Sequence, residues 1–162
     1  MKLTFLGTRG YIEARTRRHY RHASLLVSYR GGRLLVDWGQ DWLGRWRRVP
    51  RPHGVLVTHA HPDHAFGLEN GAPCPVWATG PSWDVMTDFA IEDRREIGVH
   101  HPITIAGITC EAFTVEHSTR APAVGYRLEA GRARIFYVPD LVYIHERAEA
   151  LRGIGLYIGD GA

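Results

Sequence analysis

Residues 58–64 of the chain read Thr-His-Ala-His-Pro-Asp-His, and they follow the short apolar run of residues 54–57. Three histidines and one aspartate thus fall within residues 59–64. Core packing gives no reason to place four such side chains at the end of a buried strand. Imidazole and carboxylate groups are ligands that suit zinc, manganese or iron. This stretch therefore indicates a metal site.

The spacing within this stretch predicts two ions. Residues two apart in an extended loop project to the same side, so His59 and His61 can face one ion. Pro62 stiffens the loop. Asp63 and His64 then fall at the start of a helix and point toward a second ion. Structural zinc sites prefer cysteine, whereas sites of histidine and carboxylate with open positions are usually catalytic.

Composition places the chain among ordinary globular proteins. Its 162 residues suit one domain spanning residues 1–162, and 44% of them are apolar while 23% are charged. Residues 1–7 lack the apolar run of a signal peptide, and no stretch is long enough to cross a membrane. We therefore expect a cytoplasmic protein without a membrane partner. Cys74 and Cys110 form no metal-binding pair and are expected to be reduced thiols.

Periodicity predicts mainly strands. They are expected over residues 2–6, 24–29, 34–36, 54–57, 73–78, 108–115, 123–129, 133–138 and 156–158. Helices are predicted over residues 81–89 and 146–151, and Gly31-Gly32 is predicted to supply the positive φ of a hairpin turn. Each half has apolar strands, a metal-type residue at a strand end and then a helix. The pattern predicts two packed sheets flanked by helices.

The four residues His59, His61, Asp63 and His64 match the HxHxDH signature of the metallo-β-lactamase superfamily. Residues 4–8, Thr-Phe-Leu-Gly-Thr, resemble the opening strand of its phosphodiesterase and tRNA 3′-processing endonuclease branches. The resemblance implies an α/β fold, namely a four-layer αβ/βα sandwich of two mixed β-sheets flanked by helices.

Three further segments resemble motifs of the same family. Residues 35–39 contain Asp37, which the resemblance implies as the carboxylate that orients the metal loop. Residues 113–118 imply His117 as the third histidine on the first metal, and residues 137–140 imply Asp140 as the bridge between both metals. His117 and Asp140 also follow predicted strands, and the ends of such strands converge on one edge of a two-sheet sandwich.

One expected ligand is missing from this pattern. The family has a further histidine after the last strands, but no histidine follows His145. His145 lies only five residues after Asp140, at the start of a predicted helix, and is not expected to replace it. The chain stops at Ala162, directly after an apolar strand. We therefore expect a fragment whose C-terminal part is missing, or a chain with a weakened second metal site.

The resemblance implies a metal-dependent hydrolase that uses a metal-bound hydroxide. Two Zn²⁺ ions are expected, with Mn²⁺ or Fe²⁺ as alternatives, and Asp63 is the residue expected to orient the nucleophile. The substrate would be a phosphodiester or another small phosphoester. A hydrolase of a carboxylic derivative, such as a lactone, thioester or β-lactam, remains open. So does a truncated metal-binding module without activity.

A basic segment between the first two predicted strands bears on the substrate. Its members with phosphate-binding chemistry are Arg15, Arg17, Arg18, His19 and His22. We expect this segment to lie over the site and to attract a small anionic substrate, although a solvated basic face would have the same composition. A nucleic acid is left open but not favoured, because the long inserted arm of tRNA-processing members is not evident. A homo-oligomer is also left open.

Overall fold

The N-terminal half of the chain forms a six-stranded mixed sheet in the computed structural model, which describes residues 1–118 and 121–159. Its strands follow one another in space as in sequence: β1 (Lys2–Gly7), β2 (Ser24–Tyr29), β3 (Gly32–Val36), β4 (Gly54–Leu56), β5 (Val76–Ala78) and β6 (Arg94–Glu96). The first three strands pair antiparallel, and β3 to β6 run parallel. All residues of β4 and β5 are buried, as expected for parallel strands covered on both faces.

The second half forms the other mixed sheet. Its strands are β7 (Ile103–Ile105), β8 (Ile108–Ser118), β9 (Ala121–Ala130), β10 (Ala133–Val138), β11 (Tyr143–Ile144) and β12 (Leu156–Gly159). They are arranged in the order β11-β8-β9-β10-β12, with β7 paired to β8. The pair β10 and β12 is parallel, whereas the long pair β8 and β9 is antiparallel. This topology confirms the predicted two mixed sheets.

The helices are short. They are α1 (Pro62–Ala65), α2 (Gly80–Val85) and α3 (Arg147–Ala150), and short 3₁₀ turns cover Gln40–Trp42, Trp46–Arg48 and Phe66–Leu68. The predicted helix over residues 81–89 therefore ends earlier than expected, and the one over 146–151 is reduced to a single turn. Within the described ranges, no helix has the length and apolar character needed to span a membrane.

Three apolar clusters define the layers of the sandwich. Successive residues of a strand point to opposite faces. Leu25 and Val27 of β2 accordingly join the cluster between the sheets, whereas Leu26 joins a second cluster on the outer face of the first sheet. A third cluster covers the outer face of the second sheet and combines Phe113 with Ala150 of α3. The chain thus buries apolar side chains on both faces of each sheet.

The hairpin between β2 and β3 differs from the sequence prediction. Positive φ falls on Arg30 (45°) and Gly31 (86°), whereas Gly32 already begins β3. Gly32 is required for a different reason, because a Cβ there would lie 2.0 Å from the carbonyl oxygen of Ala106. The two glycines therefore serve a turn and a close approach of two segments, rather than one turn.

Both sheets deliver polar residues to one edge. Asp37 follows β3, and its backbone N–H donates to the carbonyl of Leu56 at the end of β4 (2.9 Å). The second sheet contributes His117 near the end of β8 and Asp140 two residues after β10. Val124 of β9 donates its N–H to the carbonyl of Thr58 (3.0 Å), which connects the loop after β4 to the second sheet.

Candidate metal centre

The loop of residues 58–61 leads from β4 into α1. His61 precedes the helix with an extended backbone (φ −80°, ψ 155°), and Pro62 occupies the first turn, where its fixed φ suits a helix. Asp63 and His64 follow within the same turn. Among the four predicted ligands of this segment, His59, Asp63 and His64 are buried, each exposed by only 1–3%. Polar groups buried this deeply require partners.

A first group of side chains that could hold a metal ion consists of His59, His61, His117 and Asp140. We call it the first donor group. One ligand atom from each lies within 4.8 Å of the others. The Nδ1 atom of His61 is 3.1 Å from Nε2 of His59 and 3.3 Å from Nε2 of His117. The Oδ2 atom of Asp140 is 3.3 Å from Nε2 of His117 and 3.5 Å from Nε2 of His59.

A second group consists of Asp63, His64 and Asp140. Nε2 of His64 lies 3.2 Å from Oδ2 of Asp63 and 3.2 Å from Oδ2 of Asp140. Despite these distances, Nε2 is buried and makes no hydrogen bond among the described residues. The same oxygen of Asp140 therefore belongs to both groups, as expected for a carboxylate between two ions.

The donor atoms fit metal ions better than a network of shared protons. A neutral imidazole carries one N–H, and three ring nitrogens that face one another cannot all be paired by protons. Two nitrogens bound about 2.0–2.1 Å from a tetrahedral zinc ion lie roughly 3.3 Å apart. The spacings of 3.1 and 3.3 Å around His61 agree with that value. Imidazole and carboxylate also match the chemistry of zinc, manganese and iron.

The carboxylate of Asp37 contacts both Thr58 and the ring of His64 and fixes the orientation of that ring. The carboxylate is fully buried, and it accepts hydrogen bonds from the backbone N–H and the hydroxyl of Thr58 (both 2.8 Å). It also lies 2.8 Å from Nδ1 of His64, so the ring turns Nε2 toward Asp63 and Asp140. Burial raises the pKa of Asp37. Burial would lower the pKa of His64, but the charge of Asp37 and the nearby carboxylates of Asp140 and Asp63 together outweigh burial and raise that pKa well above the ordinary value.

Two histidines of the first group, His59 and His61, have pKa values shifted in favour of the neutral form. Burial lowers the pKa of His59 well below its usual value, and the charges of His64, His61 and His117 act in the same direction. The pKa of His61 is lowered by burial and then by His117. Because a metal ion binds the neutral imidazole, these shifts favour coordination over protonation.

The basic segment divides into an anchored part and an exposed part. Asp41 anchors it: the carboxylate pairs with Arg9 (2.5 Å) and Arg15 (2.9 Å) and accepts the backbone N–H of His22 (3.1 Å). Nδ1 of His22 in turn accepts the backbone N–H of Asp41 (3.2 Å). Arg15 and His22 therefore contact Asp41 rather than the side chains of either donor group.

The other three residues of the segment lie on its exposed side. Arg17, Arg18 and His19 are all exposed. Of the five residues predicted to bind substrate, His19 is the one that shares a cavity with Asp140. A solvated position for Arg17 and Arg18 leaves their charge free to attract an anion.

Two cavities meet at Asp140. The first has a volume of about 270 Å³, and its lining includes Thr8, Arg9, His19, His64 and Asp140. The second, of about 480 Å³, is lined by residues of the loop and of both donor groups together with Gly10 and Tyr11. The shared carboxylate therefore borders both cavities.

Sequence reasoning missed several residues that support the site. Arg9 and Asp41 form their ion pair across 32 positions, and no local pattern links them. Thr58 lies directly beside the predicted ligands but carries no ligand chemistry of its own. Tyr126 donates its hydroxyl to the carbonyl of Val57 (2.8 Å) from the opposite sheet. The sequence offered one signal for Tyr126, namely a side chain with a polar end on a strand whose residues alternate between apolar and polar.

The fold and this cluster agree with what sequence comparison finds. A family model described as a β-lactamase superfamily domain matches residues 32–162, and the chain belongs to that superfamily. The predicted family and fold are thereby confirmed.

One sequence relative and two solved structures are similar to this chain over nearly all of its length. Ribonuclease Z of Kineococcus radiotolerans is 30% identical over 194 aligned positions, covering 96% of this chain and 59% of that protein. Among solved structures, a diphosphatase from the PhnP family superposes with a TM-score of 0.75 at 22% identity, covering 96% of this chain and 71% of that one. Zn²⁺-bound PqqB from Methylobacterium extorquens superposes with a TM-score of 0.73 at 23% identity, covering 99% and 70%. The chain thus spans about three-fifths of the length of the ribonuclease Z it matches.

Proposed function

We propose that the chain is a metal-dependent hydrolase whose substrate is a small phosphodiester. The observation that carries this proposal is that one oxygen of Asp140 belongs to two donor groups at once. Two ions that share a carboxylate form the kind of site that stabilises both the attacking and the leaving oxygen of a displacement at phosphorus. The two open cavities that Asp140 lines provide room for such a substrate.

The residues that would hold the ions follow from the two groups. His59, His61 and His117 would hold one ion, Asp63 and His64 the other, and Asp140 both. We propose zinc, with manganese or iron as alternatives that suit the same ligands. Such ions make water a stronger acid, lowering its pKa from about 15.7 toward roughly 7, and neutralise negative charge that develops on the substrate.

The chain's own residues orient the reaction. Asp63 lines the larger cavity and would accept a hydrogen bond from the attacking water, which fixes the direction of attack. Asp37 acts through His64, because its carboxylate fixes the ring orientation at Nδ1. The wall of the smaller cavity receives the other end of the ester.

Two observations favour a phosphoester over a carboxylic derivative. Relatives named ribonuclease Z and a structural neighbour named a diphosphatase both carry names of enzymes that act on phosphorus. The exposed Arg17 and Arg18 adjoin His19 at the smaller cavity and would attract a negatively charged ester. A neutral lactone would gain nothing from these charges.

The test compares substrates on the metal-loaded chain. Hydrolysis of bis(4-nitrophenyl) phosphate, a lactone, a β-lactam and a precursor tRNA is measured with Zn²⁺ or Mn²⁺. We expect turnover of the small phosphodiester, and we expect Asp140→Asn and His117→Ala to lower kcat/KM by about 10²-fold or more. His145→Ala is the matched control, because His145 is an exposed histidine that pairs with Glu116 (3.4 Å).

The outcomes separate the alternatives. Turnover of the lactone or β-lactam alone would overturn the proposal in favour of a hydrolase of carboxylic derivatives. Two bound ions without turnover of any ester would point to a metal-binding module. Cleavage of precursor tRNA with a kcat/KM far above that of the small diester would replace the proposed substrate class with nucleic acid.

A further inference from the structure

We propose that His19 is a catalytic residue that donates a proton to the leaving oxygen of the phosphoester. The inference rests on the proposed function and extends it to a residue outside both donor groups. It assigns the smaller cavity to the leaving group and the larger one to the attacking water.

Two cavities that border Asp140 offer separate places for the attacking water and the leaving group. Asp63 lines the larger cavity and His19 the smaller one, while Asp140 borders both. A displacement at phosphorus needs the attacking and leaving oxygens roughly in line. We therefore assign the attacking water to the cavity that Asp63 lines and the leaving group to the cavity that His19 lines.

The imidazole of His19 is held from one side. Its Nδ1 lies 2.9 Å from the hydroxyl and 3.3 Å from the carbonyl of Thr8, and its backbone N–H donates to the hydroxyl of Thr16 (3.0 Å). Nε2 makes no hydrogen bond or ion pair to the residues that the structure describes. The ring therefore keeps one functional nitrogen for a ligand in the cavity it lines.

The segment that carries His19 is tied to the fold at both ends. The backbone N–H groups of Thr8 and Arg9 donate to the carbonyl of Arg21 (3.0 and 2.8 Å). Gly7 permits this approach, since a Cβ there would lie 2.0 Å from the carbonyl oxygen of His22. Arg9 is only 4% exposed and pairs with Asp41. His19 thus sits on an anchored segment, as a positioned acid requires.

The proposed step conserves atoms and charge. The oxygen of water forms a bond to phosphorus, and its proton passes to the carboxylate of Asp63. The bond from phosphorus to the leaving oxygen breaks, and its electron pair goes to that oxygen. The leaving oxygen takes the proton from Nε2 of His19, which is left with a lone pair. Solvent then returns a proton to His19 and removes one from Asp63.

The test uses the dependence of rate on the leaving group. Methyl aryl phosphodiesters whose leaving groups range from 4-nitrophenol to unsubstituted phenol are compared for the metal-loaded parent chain and His19→Ala. The weakly basic 4-nitrophenolate ion can leave without being protonated. The more basic phenolate ion depends more strongly on a proton as it leaves. We expect little loss in kcat/KM for the nitrophenyl ester and a loss that grows to about 10²-fold for the phenyl ester. In His19→Ala, added imidazole should restore hydrolysis of the phenyl ester more than hydrolysis of the nitrophenyl ester.

Two comparisons separate proton donation from substrate binding and from the general effect of losing a histidine. His101→Ala is the matched control, because His101 is an exposed loop histidine whose Nδ1 donates to the carbonyl of Val99 (2.9 Å). Binding of an unreactive methyl arylphosphonate, measured by calorimetry, should be nearly unchanged in His19→Ala. An equal loss for all esters, or none, would overturn the role of His19 while leaving the proposed function intact. No turnover of any ester by the parent chain would overturn both.

Discussion

The buried carboxylate of Asp37 connects the loop of residues 58–61 to the predicted ligand His64. It accepts two hydrogen bonds from Thr58 and contacts Nδ1 of His64. Asp37→Asn preserves the shape but puts an NH₂ group where an acceptor is needed. We expect metal affinity to fall about 10–100-fold and the free energy of unfolding to fall by about 1–3 kcal/mol. Chelator competition and urea unfolding measure the two effects.

The control for this substitution is Asp93→Asn. Asp93 is an exposed aspartate that pairs with Arg95 (2.9 Å), so its loss should change neither quantity measurably. Metal affinity equal to that of the parent chain in Asp37→Asn would show that Asp37 does not hold His64 for the ion.

Also at the scale of single residues, the two cysteines should be unreactive in the folded chain. Burial raises the pKa of Cys110 to about 12 and that of Cys74 to about 11. Because the thiolate is the reactive form, iodoacetamide at pH 8 should label Cys110 hardly at all and Cys74 slowly. The urea-unfolded chain should react fully at both. Rapid labelling of native Cys110 would contradict its position in the core between the sheets.

At the scale of elements, Asp41 anchors the segment of residues 8–22 to the first sheet. Its partners Arg9 and Arg15 belong to that segment. Burial would raise the pKa of Asp41, but the hydrogen bonds and charges of Arg9 and His22 together outweigh burial and lower that pKa. Asp41→Ala removes one partner of a mostly buried ion pair and leaves the charge of Arg9 uncompensated. We expect trypsin to cut this arginine-rich segment at least about tenfold faster, with metal content unchanged.

The exposed aspartate Asp88 provides the control, since Asp88→Ala should leave the tryptic pattern as in the parent chain. Equal cleavage rates for Asp41→Ala and the parent chain would mean that the segment does not depend on this anchor.

The elements also show what the sequence alone could predict. The limits of β2 and β10 agree with the pattern, because apolar residues and clear turn signals mark them. The strand β6 was not predicted, since its three residues are all charged and exposed and its pairing comes from β5. Each predicted ligand lies at the expected sheet edge. The pairing of Asp41 with Arg9 could not be predicted, because it depends on how distant segments pack.

At the scale of the whole molecule, the site depends on the packing of the two sheets. Tyr126 of the second sheet donates its hydroxyl to the carbonyl of Val57 in the first, next to the metal loop. Tyr126→Phe leaves that carbonyl without its tyrosine partner while preserving the ring in the core. We expect the free energy of unfolding to fall by about 1–2 kcal/mol. Urea unfolding checks this value against Tyr143→Phe, which alters an exposed tyrosine.

The proposed chemistry depends on two ions that share Asp140, and anomalous diffraction from crystals grown with zinc is the decisive measurement. We expect two peaks per chain. One should lie among His59, His61 and His117, the other beside Asp63 and His64, with the carboxylate of Asp140 between them. A single peak, or two peaks that Asp140 does not join, would contradict the shared site.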